Sequence, residues 1–93
     1  MRIKNREADI IKNTVKGFDP EAEVFLFGSR VDDQLKGGDI DILIFSESMN
    51  LRSKLQLKSR LFEKLEEQKI DIIIEKNRSA PFIIYVLQNA IQL

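Results

Sequence analysis

The sequence predicts an α/β fold, a small mixed sheet of about three main strands flanked by helices in the order αβαβαβα. Three observations predict it. Short apolar runs of strand length stand at residues 24–27 (VFLF), 39–45 (DIDILIF) and 70–75 (IDIIIE). In the latter two the residues alternate or crowd in the manner of half-buried and buried strands. Between and around these runs lie longer stretches in which apolar residues recur at helical spacing, punctuated by Gly, Pro and Asn. All 93 residues fit a single domain, 1–93, with a modest core.

Residues 1–17 read as a helix whose apolar face is Ile3, Ile10, Ile11 and Val15, with Lys and Arg elsewhere as a solvated face. Gly17 is the expected stop, and Asp19-Pro20 the loop into the first strand. Residues 24–27 are a buried strand cut off by Gly28-Ser29. About two helical turns follow, with Asp32 and Asp33 in the first turn where they suit the helix dipole. Gly37-Gly38 ends them and frees the backbone for the second strand, which opens on Asp39. Residues 46–50 form a polar connector, and Asn50 is the expected N-cap of a helix over 51–68. Its predicted inner stripe is Leu51, Leu55, Phe62 and Leu65, broadened by Leu61. The third strand, 70–75, puts Ile70, Ile72 and Ile74 on one face and Asp71, Ile73 and Glu75 on the other. A last helix is expected over 79–93, capped by Ser79 with Pro81 in its first turn. It carries two apolar stripes, one of Ile83, Ile84, Leu87 and Ile91, the other of Phe82, Tyr85, Val86 and Leu93. A small domain buries one such stripe. The second is expected to meet another chain, a second copy or a partner, or else to be covered by the N-terminal helix.

The chemistry concentrates in residues 24–45. Residues two apart in a strand share a face, so Asp39 and Asp41 project together while Ile40, Ile42 and Ile44 project to the other side. Paired carboxylates repel unless a cation lies between them, and hard divalent ions such as Mg²⁺ take oxygen ligands while keeping positions open for phosphate. Gly28 permits a tight turn and close approach of a ligand. Ser29 stands where a helix N-cap belongs, beside free N–H groups and the positive end of the dipole. Arg30 suits either of two roles, neutralising phosphate charge or pairing with Asp33. Asp71, on a strand beside the one that Asp39 opens, would aim at the same metal. Glu75 lies roughly 13 Å further along that strand, at its solvated end.

Gly28-Ser29, nine intervening residues, then Asp39-Ile40-Asp41, with Asp71 as a third carboxylate on a later strand, resembles the motif of the polymerase-β-like nucleotidyltransferase superfamily. In size the chain is similar to its minimal members, the MNT antitoxins that pair with HEPN-domain partners in toxin–antitoxin modules. The resemblance implies the nucleotidyltransferase fold and Mg²⁺-dependent transfer of AMP from ATP to a hydroxyl, a tyrosine of the HEPN-type toxin, with release of pyrophosphate. It implies catalytic and metal-ligating roles for Asp39, Asp41 and Asp71, two Mg²⁺ ions, and nucleotide contacts from Gly28, Ser29 and Arg30.

Other users of an Asp-x-Asp pair fit less well. Haloacid-dehalogenase-type phosphatases end an apolar strand with it, whereas here it begins one. Glycosyltransferases with such a pair need a far larger nucleotide-binding domain, and Gly28-Ser29-Arg30 is not a P-loop. Two functional alternatives stay open: a non-catalytic antitoxin that neutralises its partner by docking, and a small-molecule nucleotidyltransferase, which would normally need an added domain for its acceptor. Fifteen basic residues balance fifteen acidic ones, so nothing marks a dedicated nucleic-acid binder. The chain has no cysteine for disulfides or thiolate metal sites. No apolar run approaches the ~20 residues that span a bilayer, and residues 1–13 do not form a signal peptide. A cytoplasmic location is the expectation.

Overall fold

A computed structural model describes residues 5–28, 40–65 and 69–93, and among the described residues are four strands and three helices. The helices are α1 (Asn5–Phe18), α2 (Leu51–Lys64) and α3 (Pro81–Leu87). The strands are β1 (Glu23–Phe27), β2 (Ile40–Phe45), β3 (Ile70–Glu75) and β4 (Ile91–Gln92). They form one sheet in the order β3-β2-β1-β4. The sheet is mixed: β2 and β3 run parallel, joined by α2 as a crossover, while β1 is antiparallel to both β2 and β4. The short helix expected between β1 and β2 falls outside the described residues.

Period-2 alternation divides the sheet into two cores. Val24, Leu26, Ile40, Ile42, Ile44, Ile70 and Ile72 point to the face that α1 and α2 cover, where Ile11, Val15, Leu57, Leu61 and Leu65 meet them. Phe25, Leu43 and Phe45 point to the other face, under Ile83 and Val86 of α3. The rings of Phe25 and Phe45 meet edge to face at 5.6 Å, and the Arg78 guanidinium lies over both while pairing with Glu23. This face is therefore sealed at one end by apolar rows and an arginine lid.

Four expectations need correction. First, α1 runs through Gly17 to Phe18, because a helix tolerates one glycine when its last turn is held otherwise. Here Lys16 Nζ donates to the carbonyls of Pro20 (3.1 Å) and Ala22 (2.6 Å), tying the helix end to the loop. Second, the buried stripe of α2 is Leu57, Leu61 and Leu65, while Leu51, Leu55 and Phe62 are exposed. Its six large apolar residues make two stripes roughly a quarter-turn apart, and docking against α1 and β3 selects the one centred on Leu61. Asn50 does cap this helix, its Oδ1 accepting from the Ser53 N–H at 3.0 Å. Third, α3 stops at Leu87 and does not reach residue 93. The chain turns at Gln88–Asn89 and pairs with the open edge of β1, with Leu93 N donating to Val24 O at 2.9 Å. That edge offers backbone groups whose pairing outweighs one more helical turn. Ala80, not Ser79, stands at the N-cap of α3, and Asn77 Oδ1 accepts from the Ser79 N–H instead.

The fourth correction follows from the third. Of the stripe expected to meet another chain, Val86 is buried against the sheet and Leu93 packs on the opposite core. Only Phe82 and Tyr85 of that set remain outside, together with Ile84 of the other stripe.

A polar knot ties the α1–β1 loop to the end of β2. Ser46 Oγ, buried, donates to Asp19 Oδ2 at 2.5 Å and accepts from the N–H groups of Ser48 and Met49. The Ser46 hydroxyl and the Glu21 N–H hold the Asp19 carboxyl below its ordinary pKa of 3.8. A group with a depressed folded pKa adds stability that is present above its unfolded value and is lost as pH falls through the folded one. Asp19 should thus steepen acid unfolding below pH 3.8. Ser46→Ala is expected to lower stability by about 1–2 kcal/mol at neutral pH and to weaken that acid dependence. Denaturant titrations of both proteins across pH check it; an unchanged acid limb would detach Ser46 from the effect.

Candidate active site

Strand register assembles the site. Phe27 of β1 lies opposite Asp41 of β2, and Asp41 lies opposite Asp71 of β3. Register partners share a face, so Phe27, Asp41 and Asp71 form a row across three strands on the side that α3 partly covers. The neighbouring row on that face, Phe25, Leu43 and Ile73, is apolar and packs beneath α3. The row of Phe27, Asp41 and Asp71 is the first beyond it, and all three of its residues are half-buried. Neighbouring strands stand about 4.8 Å apart, which brings the Asp41 and Asp71 carboxylates side by side.

Gly28 closes the arrangement. Its φ of +78° is the left-handed region that residues with a Cβ rarely adopt. A Cβ at this position would also stand 2.1 Å from Asp41 Oδ2. Glycine is therefore required twice, by backbone conformation and by the carboxylate pressed against it. The sequence shows a glycine able to turn; it carries no signal that the space opposite its missing side chain belongs to Asp41.

Among the residues proposed from the sequence, the structure thus brings Gly28, Asp41 and Asp71 together. Asp39, Ser29 and Arg30 lie outside the described residues. Glu75 pairs with Phe45 at the far end of β3, away from the Asp71 end. Among the described residues no group of three or more acidic, His or Cys side chains gathers in one place. The donors present still suit a divalent cation, since two adjacent carboxylates offer hard oxygens.

Comparison with known proteins identifies the chemistry. A family described as nucleotidyltransferase domain matches residues 8–93. The chain belongs to that family. As a nucleotidyltransferase it also shares its fold with solved structures. A chain of the toxin–antitoxin MntA–HepT crystal structure superposes with a TM-score of 0.69 at 19% identity, covering 96% of this chain and 70% of that one. A mutant form of that toxin–antitoxin pair gives a TM-score of 0.69 at 22% identity, over 92% of this chain and 69% of that one. Curated protein sequences give no significant match. The mixed sheet with flanking helices is the nucleotidyltransferase fold, with β4 as a short fourth strand. No described helix is long and apolar enough to cross a membrane.

Proposed function

We propose that this nucleotidyltransferase is the antitoxin of a toxin–antitoxin module, transferring AMP from ATP to a tyrosine hydroxyl of a HEPN-type toxin in the cytoplasm. The observation that carries the chemistry is the row of Asp41 and Asp71 with Gly28 moulded to Asp41. The likeness to the MntA–HepT pair supports the biological setting.

Asp39 and Asp41 are the proposed ligands of one Mg²⁺, and Asp39, Asp41 and Asp71 of a second. Bound there, the ions would neutralise phosphate charge and lower the pKa of the acceptor hydroxyl. Backbone N–H groups around Gly28, with Ser29 and Arg30, hold the outer phosphates of the nucleotide. Asp71 is the proposed general base and accepts the proton of the acceptor hydroxyl. The oxygen so freed forms a bond to the α-phosphorus, and the bond from that phosphorus to the leaving oxygen breaks, releasing pyrophosphate. The protein contributes chiefly positioning and charge neutralisation.

The test is chemical. The chain, ATP, Mg²⁺ and its co-purified partner are incubated together, and the partner is expected to gain the mass of one or more AMP units. A partner that binds tightly yet keeps its mass would instead assign the protein to neutralisation by docking. A role for the C-terminal helix in assembly with a partner or a second copy is reduced to its outer residues, since Val86 faces the core.

A further inference from the structure

Phe82 and Tyr85 project from α3 with 58% and 69% of their surfaces exposed, although their neighbours Ile83 and Val86 are buried. They are not idle on a convex surface. With Phe27, Gly28, Val86 and Asn89 they line a cleft of about 300 Å³. Its lining reaches the proposed catalytic row, since Phe27 is the register partner of Asp41. Its lining also includes Gly28, the residue against which the Asp41 carboxylate rests.

We propose that this cleft is the subsite for the nucleobase of the donor nucleotide, with Tyr85 and Phe82 as stacking surfaces and the Asn89 amide facing the base edge. The inference rests on the reading of Gly28 and Asp41 as the phosphate and metal end of the site. One ribose separates the α-phosphate of a nucleotide from its base. A base whose outer phosphates lie against Gly28 lies one α-phosphate and one ribose further along, which puts a cleft lined by that glycine within its reach. The cleft shares Gly28 and offers what a base requires. Two aromatic side chains give π-faces for stacking. An amide on one wall offers both a donor and an acceptor, the complement of a heterocycle edge. The other described clefts lack this connection. One lies among Arg6, Asn13 and Lys64, residues of α1 and the end of α2, behind the sheet. Another is at the far ends of β2 and β3, beside Met49 and Glu75.

Two ligands separate the base from the phosphates: Mg²⁺-ATP and Mg²⁺-tripolyphosphate, titrated calorimetrically into the whole chain. Tyr85→Ala is expected to weaken Mg²⁺-ATP roughly ten- to a hundredfold, the range of one base–aromatic stack, and to leave tripolyphosphate binding unchanged. Tyr85→Phe should keep wild-type affinity, because stacking uses the ring and not the hydroxyl. Tyr85 is the single tyrosine of a chain without tryptophan, so its emission should be quenched by ATP and not by tripolyphosphate. Equal ATP affinity in the wild type and Tyr85→Ala would overturn the subsite while the phosphate reading stands. So would parallel weakening of both ligands, which marks general damage. A Tyr85→Ala chain that keeps ATP affinity but loses its protein partner would assign the face to that partner and overturn the subsite too. Failure of the wild type to bind either ligand would overturn the phosphate reading, and the subsite with it.

Discussion

Asp41→Ala should abolish nucleotidyl transfer, a loss on the order of a thousandfold or more, without unfolding the chain. Removing a carboxylate proposed to hold a metal would forfeit several kcal/mol of charge stabilisation, at about 1.4 kcal/mol per factor of ten. The side chain is half-buried at the margin of its face, outside the two apolar clusters, so the core is left intact. Gly28→Ala tests the same site from its other side. Forcing a Cβ into a φ of +78° costs about 1–2 kcal/mol, and the 2.1 Å approach to Asp41 Oδ2 obliges the carboxylate to move. A displacement of about an ångström is enough for a roughly hundredfold loss in rate. Both effects are read as initial rates of AMP transfer beside circular dichroism of the same samples. A Gly28→Ala chain of undiminished activity would show that the contact with Asp41 has no part in the chemistry. Undiminished activity in Asp41→Ala would remove the proposed mechanism altogether.

The parts legible in the sequence are those fixed by local pattern. Alternation in residues 40–45 and 70–75 places Ile40, Ile42, Ile44, Ile70, Ile72 and Ile74 on one face and Asp41, Asp71 and Ile73 on the other, and the structure shows that division. A strand pattern needs only its own residues to state which side chains share a face. Register across strands is a tertiary property. The pairing of Asp41 with Asp71 follows from the pattern only where the two strands are neighbours, as they are here. The pairing of Phe27 with Asp41, which places the aromatic cleft beside the carboxylates, had no local signal. Helix faces failed where the sequence offered two. In α2 both Leu51–Leu55–Phe62 and Leu57–Leu61–Leu65 recur at helical spacing, and only the packing of α1 decides between them. The two-residue strand β4 is too short to leave a period, and its formation depends on an edge of β1 that lies some 65 residues earlier in the chain.

Val86→Lys should unfold the domain or bring it close to unfolding. Val86 is 7% exposed and belongs to the cluster of Phe25, Leu43, Phe45 and Ile83, which joins α3 to the sheet. A lysine there must bury an ammonium among aromatic and aliphatic atoms, or pull α3 away and uncover that cluster. Either course costs roughly 3–5 kcal/mol. Small domains hold only about 5–15 kcal/mol in total. Each kcal/mol shifts the melting temperature of a domain this size by roughly 4–8 °C, so the fall should exceed ~12 °C. Tyr85→Lys is the matched control, one residue away and 69% exposed, and should melt within a few degrees of wild type. The contrast separates the two faces of one short helix. If the face of Val86 were a docking surface, its lysine variant would stay folded and lose only assembly size or partner affinity. If it seals the sheet, as its burial indicates, the variant loses its thermal transition whether or not a partner is present. A Val86→Lys chain that melts with the wild type would mean that α3 does not close this face of the sheet, and the cleft between α3 and Gly28 would lose its inner wall.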